Sequence, residues 1–441
     1  MAENSTQDDA QIRDPNVVRM AGDINVNKIV ITSSNGKSLD VTNQMRGMQV
    51  FEDMFSPFIT GNIVLDDSLD LINFFPFVGE EYLDLDLGTP SFQEDSRKIT
   101  GKFYIYKMTD RFKHKEKAVV YTLHFISIEA VLDINRRFSK AFEGSPADLI
   151  DKFVTSDEGL KSEKKIVIKE PTTNKIKFIA SNWNPSKCID FLTKAAQNDK
   201  RSNYLFFENR DGFVFATPNY LFNLAPVAQN FTYTAKDRDI ADNGSSTRDL
   251  NYDYTRIHDY KLPVGFDFMD RVSYGMYAAR LTTHDLVTKK YSSTVYYAPN
   301  DFEKHPHLND FPLWSKNLQS STAAVQVIEP KHYGIHNGHG DITNTKNLLS
   351  RISMMKQFEG FKLNIKVSGR TDYTVGQKVS VELPSLEPLG ETDTQEAVKD
   401  KMFSGNYLIA AINHSIKPDK HECYMELVKD SLIFDLDGEN K

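Results

Sequence analysis

The chain has 441 residues, too many for one ordinary hydrophobic core, so two to four domains are expected. Its 40% hydrophobic and 26% charged residues suit a globular protein in water, and a net charge of −8 argues against a globally basic surface for nucleic acid. Two distant cysteines, Cys188 and Cys423, exclude a disulfide scaffold and fit folding in a reducing cytoplasm. The acidic, polar start has no secretory leader pattern, and no run approaches the roughly 18 apolar residues of a spanning helix. With 29 Phe and 19 Tyr, strands are favoured over helical bundles.

Residues 1–23 read as a flexible arm, too polar to build a core. A strand pair follows at 24–32 and 38–42, turned at Asn35-Gly36. A strand is expected at 62–65 and a short helix at 69–75, started by Asp66-Asp-Ser68. The apolar Phe74-Phe-Pro-Phe77 suits either core packing or an interface patch. The spacing over 130–142 and 146–153 predicts helices, the second opened by Ser145-Pro146. Short strands are expected at 166–168 and 175–179, and a helix at 187–198. Tyr204 to Phe215 reads as a hairpin turned at Asp211-Gly212. The irregular, aromatic stretch 224–355 is too long for a loop and reads as an inserted domain.

Two stretches say nearly the same thing. Val78-Gly-Glu-Glu81 is followed by Leu83-Asp-Leu-Asp-Leu87, Pro90, Gly101-Lys-Phe-Tyr-Ile105, a basic turn at 111–115, and Tyr121 to Ser127. Val375-Gly-Gln-Lys378 is followed by Val379-Ser-Val-Glu-Leu383, Pro384, Gly405-Asn-Tyr-Leu-Ile409, a polar turn at 417–421, and Tyr424 to Ser431. Each five-residue run alternates apolar and polar, which on a pleated strand buries one face. Each Gly-aromatic unit reads as a hairpin. The matched order suggests two related β-barrels, with Gly101 equivalent to Gly405 and Tyr121 to Tyr424.

No catalytic signature survives inspection. A nucleophile elbow, a phosphate loop and a His-Glu-x-x-His helix are all absent from the sequence. Gly338-His-Gly340 lacks the third glycine of a dinucleotide fingerprint. Cys188, on a predicted helix without a histidine near it in sequence, reads as a buried structural thiol. His332, His336, His339 and Asp341 have spacing compatible with a metal ion, but the Gly-rich segment lacks a helix to hold them on one face, and solvated loop histidines are the preferred reading. His305-Pro-His307 is a weaker cluster still. No catalytic, cofactor-binding or metal residue is therefore assigned. A metal-dependent hydrolase using the His332/His336/His339 loop is the alternative reading.

The chain resembles the central baseplate hub of contractile-tailed phages of the T-even type. The resemblance rests on Phe51-Glu-Asp-Met-Phe-Ser-Pro-Phe-Ile-Thr-Gly61, Val78-Gly-Glu-Glu81, Tyr204-Leu-Phe-Phe-Glu-Asn-Arg-Asp-Gly212, Tyr274-Gly-Met-Tyr-Ala278, Asp285-Leu-Val-Thr-Lys-Lys-Tyr291, and Gly405 to His414 with Tyr424 to Ser431. It implies a mainly β chain with two tail-tube-like barrels and smaller α+β insertions. The expected division is a first barrel at 24–129, an α+β insertion at 130–200, a second barrel at 201–223 and 356–433, the insertion at 224–355, and an acidic tail at 434–441. It further implies a homotrimeric ring joining a hexameric tail tube to a trimeric spike, with baseplate wedge proteins as neighbours. DNA would pass through its channel during genome ejection. The setting would be the virion tail, with assembly in the host cytoplasm and no stable membrane insertion. Related hubs begin the spike proteins of type VI secretion. This chain stops soon after its second barrel, so a lysozyme activity is not carried over.

Overall fold

A computed structural model describes residues 17–438, apart from 69, 76, 93, 116–117, 199–202, 228–229, 234–249, 265, 286–288, 290, 316–317, 319–323, 332–346 and 386–398. The first part of the chain supplies β1 (Asn25–Thr32), β2 (Ser38–Asp40), β3 (Met45–Asp53), β4 (Thr60–Asp67), α1 (Leu71–Phe74), β5 (Tyr82–Gly88), β6 (Ile99–Lys115) and β7 (Ala118–Ser127). The middle supplies α2 (Ile128–Asn135), β8 (Ala141–Gly144), α3 (Pro146–Thr155), β9 (Ile166–Ile168), β10 (Ile176–Ile179), α4 (Pro185–Ala195), β11 (Leu205–Asn209), β12 (Gly212–Ala216) and α5 (Pro218–Phe222). Next come β13 (Phe231–Tyr233), α6 (Leu250–Thr255), β14 (Arg256–Val264), α7 (Phe268–Ser273), β15 (Ala278–Asp285), β16 (Tyr291–Tyr297), β17 (Phe311–Pro312) and β18 (Ala324–Lys331). The chain ends with α8 (Leu348–Gly360), β19 (Lys362–Ser368), β20 (Lys378–Glu382), β21 (Gly405–Lys417), β22 (Lys420–Val428) and β23 (Ser431–Leu432).

The architecture is mainly β. One continuous 13-stranded sheet runs β2-β1-β5-β6-β7-β4-β3-β21-β20-β13-β14-β19-β22, and a further β21–β22 ladder closes its last six strands into a barrel. The first six long strands curve around their own core, which includes Ile31, Ile63, Leu85, Phe103, Leu123 and Phe125. The closed barrel buries Ile257, Ile365, Val381, Ile409, Met425 and Leu427. Strict alternation builds both walls: β4 and β5 each bury every second residue, as do β19 and β20.

Between the barrels lies an α+β unit whose aromatic core includes Phe142, Phe153, Phe178, Tyr204, Phe213 and Phe215. The hairpin β11–β12 serves two cores, because its residues alternate sides. Phe213 and Phe215 face the α+β unit, while Leu205 and Phe207 join the closed barrel's core. Residues 231–233 and 256–264, read from the sequence as part of a separate insertion, supply two strands of the closed barrel. Phe231 and Ile257 anchor them in its core. β16-β15-β18 forms a separate small sheet.

Three local expectations shift. The helix expected at 69–75 shrinks to the single turn α1, because Asp70 before it is left-handed, with φ 58°. The helix expected over 130–142 stops at Asn135. Phe138 then bridges Trp183 and Phe142 enters β8, so apolar residues four apart reach one core without a helix. The basic stretch Arg111 to Lys115 is strand, and β7 begins at Ala118. Phe75 is buried and Phe77 packs beside it in the first core, so these two rings serve packing. Gly22, at the end of the expected arm, accepts the His421 N–H at 2.7 Å.

Candidate assembly joint and a buried histidine–cysteine cluster

The two repeats share strand order. In the first, space order is β1-β5-β6-β7-β4-β3; in the second it is β13-β20-β21-β22-β19-β14. Ranked by position in each repeat, both read first, fourth, fifth, sixth, third, second. Register agrees as well. Gly101 pairs with Leu85 and Gly405 with Val381, the third residue of each alternating run. A β-bulge falls between Ile105 and Lys107, and another between Ile409 and Ala411, at equivalent places. The Val-Gly turns match too: Gly79 and Gly376 have φ of 91° and 82°, a region where glycine meets no Cβ penalty. Ile105 N–H donates to Glu81 O at 2.9 Å, and Ile409 N–H to Gln377 O at 3.0 Å. The side chains of Glu81 and Gln377 each accept a backbone N–H of their own turn.

Two details differ. β1 is antiparallel to β5, whereas β13 is parallel to β20 and pairs β14, closing the second barrel. Register also corrects the tyrosine equivalence. Ile105 pairs with Phe125 and Ile409 with Leu427, so Tyr121 corresponds to Cys423 and the exposed Tyr424 to Thr122. The same count places Ser127 opposite Lys429, not Ser431.

The barrels are joined by β3 and β21. Residues 48–53 of β3 pair antiparallel with 411–416 of β21, so β21 is covered by β20 in its first half and by β3 in its second. The loop between β19 and β20 reinforces this joint. Thr371 and Thr89 exchange backbone-to-hydroxyl bonds at 3.0 and 3.1 Å, and Arg97 meets Asp372 at 2.7 Å. Glu52, fully buried on β3, accepts Val375 N–H at 3.1 Å and the Thr374 hydroxyl. Burial lifts its carboxyl to about 7, opposed by those hydrogen bonds. The first repeat lacks a counterpart of this cover among the described residues. β5 pairs β6 only from Ile99 to Tyr104, and β13 pairs β14 only at Arg256 and Ile257. The outer edges of β6 beyond Tyr104 and of β14 beyond Ile257 are thus unpaired by strands among the described residues.

A second strap ties the first barrel to the α+β unit. Glu208 accepts Ile59 N–H at 2.9 Å and the Ser127 hydroxyl at 2.6 Å, and Lys164 bridges Glu208 and Glu129 at 2.6 and 2.7 Å. Burial raises the Glu208 carboxyl, countered by Lys164. A buried charge survives here because it is paired and fully hydrogen-bonded.

The candidate residues from the sequence fare differently. His332, His336, His339 and Asp341 lie outside the described residues. His307 is structural: its ring stacks on Phe302 and bonds Asp430 Oδ2 at 2.6 Å and Phe302 O at 2.8 Å. His305 lies 3.5 Å from Asp301. Cys188 is a free, buried thiol in the α+β core, its pKa pushed up to about 12 by burial. The cluster that forms is one the sequence reading did not single out. His414, His421 and Cys423 are all fully buried. His414 and Cys423 face each other across β21–β22, and His421 shares a face with Cys423 two residues on. His414 Nδ1 lies 3.0 Å from His421 Nε2, and Cys423 Sγ lies 3.4 and 3.5 Å from them. Burial, then Arg210, pushes His414 down to about 3 and burial pushes His421 well down, so both rings are neutral. Only the hairpin register could have revealed this, since the three residues are spread over ten positions.

The sequence matches no family model and no curated protein. Its structure is similar to solved structures. One is the tail protein from Neisseria meningitidis MC58, at 12% identity and TM-score 0.53, over 91% of this chain and 96% of that one. Another is the prophage MuSo2 43 kDa tail protein from Shewanella oneidensis, at 9% identity and TM-score 0.53, over 92% and 99%. At these identities the likeness is one of fold, and it spans nearly the whole of both relatives. The chain therefore has the fold of these phage tail proteins, and the hub-like resemblance read from its sequence holds at the level of fold.

Proposed function

We propose that this chain is a structural, non-enzymatic hub of a phage tail baseplate, in which three copies close into a ring with pseudo-six-fold symmetry. The observation that carries this reading is the duplication: two barrels with one strand order, one register and one bulge position. Three chains of two barrels offer a hexameric tube six similar docking surfaces, while the α+β unit and the rest of the insertions keep three-fold order. The tail-protein fold supports the same reading. The partners are the tail tube on one face and a trimeric spike on the other, with wedge proteins outside and DNA passing through a neutral to acidic channel. A basic lining would hold phosphates and retain the genome.

The joint suggests how the ring closes. Within the chain, an edge of the second barrel (β21) pairs an edge of the first (β3). The counterparts, β6 of one copy and β14 of the next, would repeat that joint between chains and remove exposed edges. Asn62 pairs with Gln49 and Asn364 with Lys261, which makes Lys261 the counterpart of Gln49; Phe112 pairs with Val120 and Ser415 with Glu422, which makes Phe112 the counterpart of Ser415. Ser415 and Gln49 pair at the intrachain joint. A Phe112→Cys, Lys261→Cys chain should therefore oxidise to a covalently closed trimer, while each single variant should not. Failure to cross-link in a chain that still assembles as three copies would overturn the edge pairing. Failure to assemble at all would overturn the hub.

A further inference from the structure

We propose that His414, His421 and Cys423 form a structural site for zinc or a similar soft divalent ion. The three side chains are buried, converge from one hairpin face, and present two imidazole nitrogens and a thiol. Zinc holds nitrogen at about 2.0–2.1 Å and sulfur at about 2.3 Å, so tetrahedral donors stand about 3.3–3.6 Å apart. The observed separations of 3.0, 3.4 and 3.5 Å fall within a few tenths of an ångström of that. Imidazole and thiolate are the donors that select such an ion.

Without an ion this arrangement is poorly satisfied. Two neutral rings face each other nitrogen to nitrogen at 3.0 Å, where at most one can carry the hydrogen, and the Cys423 thiol lies against both. Ligation uses the converging atoms at once: the ion binds both ring nitrogens, the thiol becomes a thiolate bound to the ion, and its proton leaves to solvent. The rings are already in the neutral form that ligation needs, and the backbone of Tyr373 beside His414 can orient that ring. Asp372, held ionised by Arg370 and Arg97, lies close enough to act on Cys423 and would offset the positive charge left at the site.

Two glycines let the backbone pack closely against His421. A Cβ on Gly369 would stand 2.2 Å from His421 Cγ, and one on Gly22 2.7 Å from His421 O. The ion would pin the β21–β22 hairpin where three pieces meet. Gly22 and Gly369 bond the His421 backbone, and His414 pairs with Val50 of the first barrel. The protein supplies three donors, leaving a fourth position for water. Burial implies that the ion is taken up as the hairpin folds.

The test uses the full chain, produced with zinc and dialysed against metal-free buffer. Metal analysis should find about one zinc ion per chain, falling to a small residue in both Cys423→Ser and His421→Asn. Cobalt added to metal-free protein should give a thiolate-to-cobalt absorption band in wild type that Cys423→Ser lacks. Circular dichroism identifies any variant that fails to fold, and His414→Asn then replaces it. Wild-type protein without stoichiometric metal and without the cobalt thiolate band would overturn the proposal. So would zinc that persists undiminished in the folded variants, since it would sit elsewhere.

Discussion

Glu52 shows how one buried carboxyl sets a pH dependence. Its ordinary value is 4.5 and burial at the joint lifts it to about 7, so between these values the folded chain binds a proton the unfolded chain has lost. Its contribution is full at low pH and fades as pH rises through about 7, a loss on the order of 3 kcal/mol. Glu52→Gln, neutral throughout, should gain about that much stability relative to wild type between about pH 4.5 and pH 8. Denaturant titrations across that range would check it, and parallel profiles for the two proteins would contradict it. Such a residue was illegible in the sequence. Phe51-Glu-Asp-Met reads as an ordinary strand, and only the Thr374-Val375 turn, more than three hundred residues away, makes Glu52 special. The His414–Cys423 cluster was illegible for the same reason.

Elements were more legible than partners. The alternating runs at 83–87 and 379–383 and both Gly-aromatic hairpins lie in strands, because alternation is a local property that survives any tertiary context. What alternation cannot supply is register. The sequence paired Tyr121 with Tyr424, yet one side chain is buried and the other 42% exposed. Tyr121→Ala should therefore cost about 3–5 kcal/mol and Tyr424→Ala about 1 kcal/mol or less, read from urea unfolding midpoints. Equal costs would contradict the register. Strands β13 and β14 were missed because they sit in a long aromatic stretch, and their place in the barrel depends on β19 and β20, which come much later in the chain.

At the scale of the molecule, duplication gives one chain two similar barrels, and the β3–β21 joint fixes how they sit side by side. The fold is shared with two phage tail proteins. The most direct test of the hub is electron microscopy of the purified full chain with its mass in solution. The account predicts closed rings of three chains, with six similar lobes around a central opening. A population that stays monomeric at every concentration, or rings without a six-lobed inner layer, would contradict it.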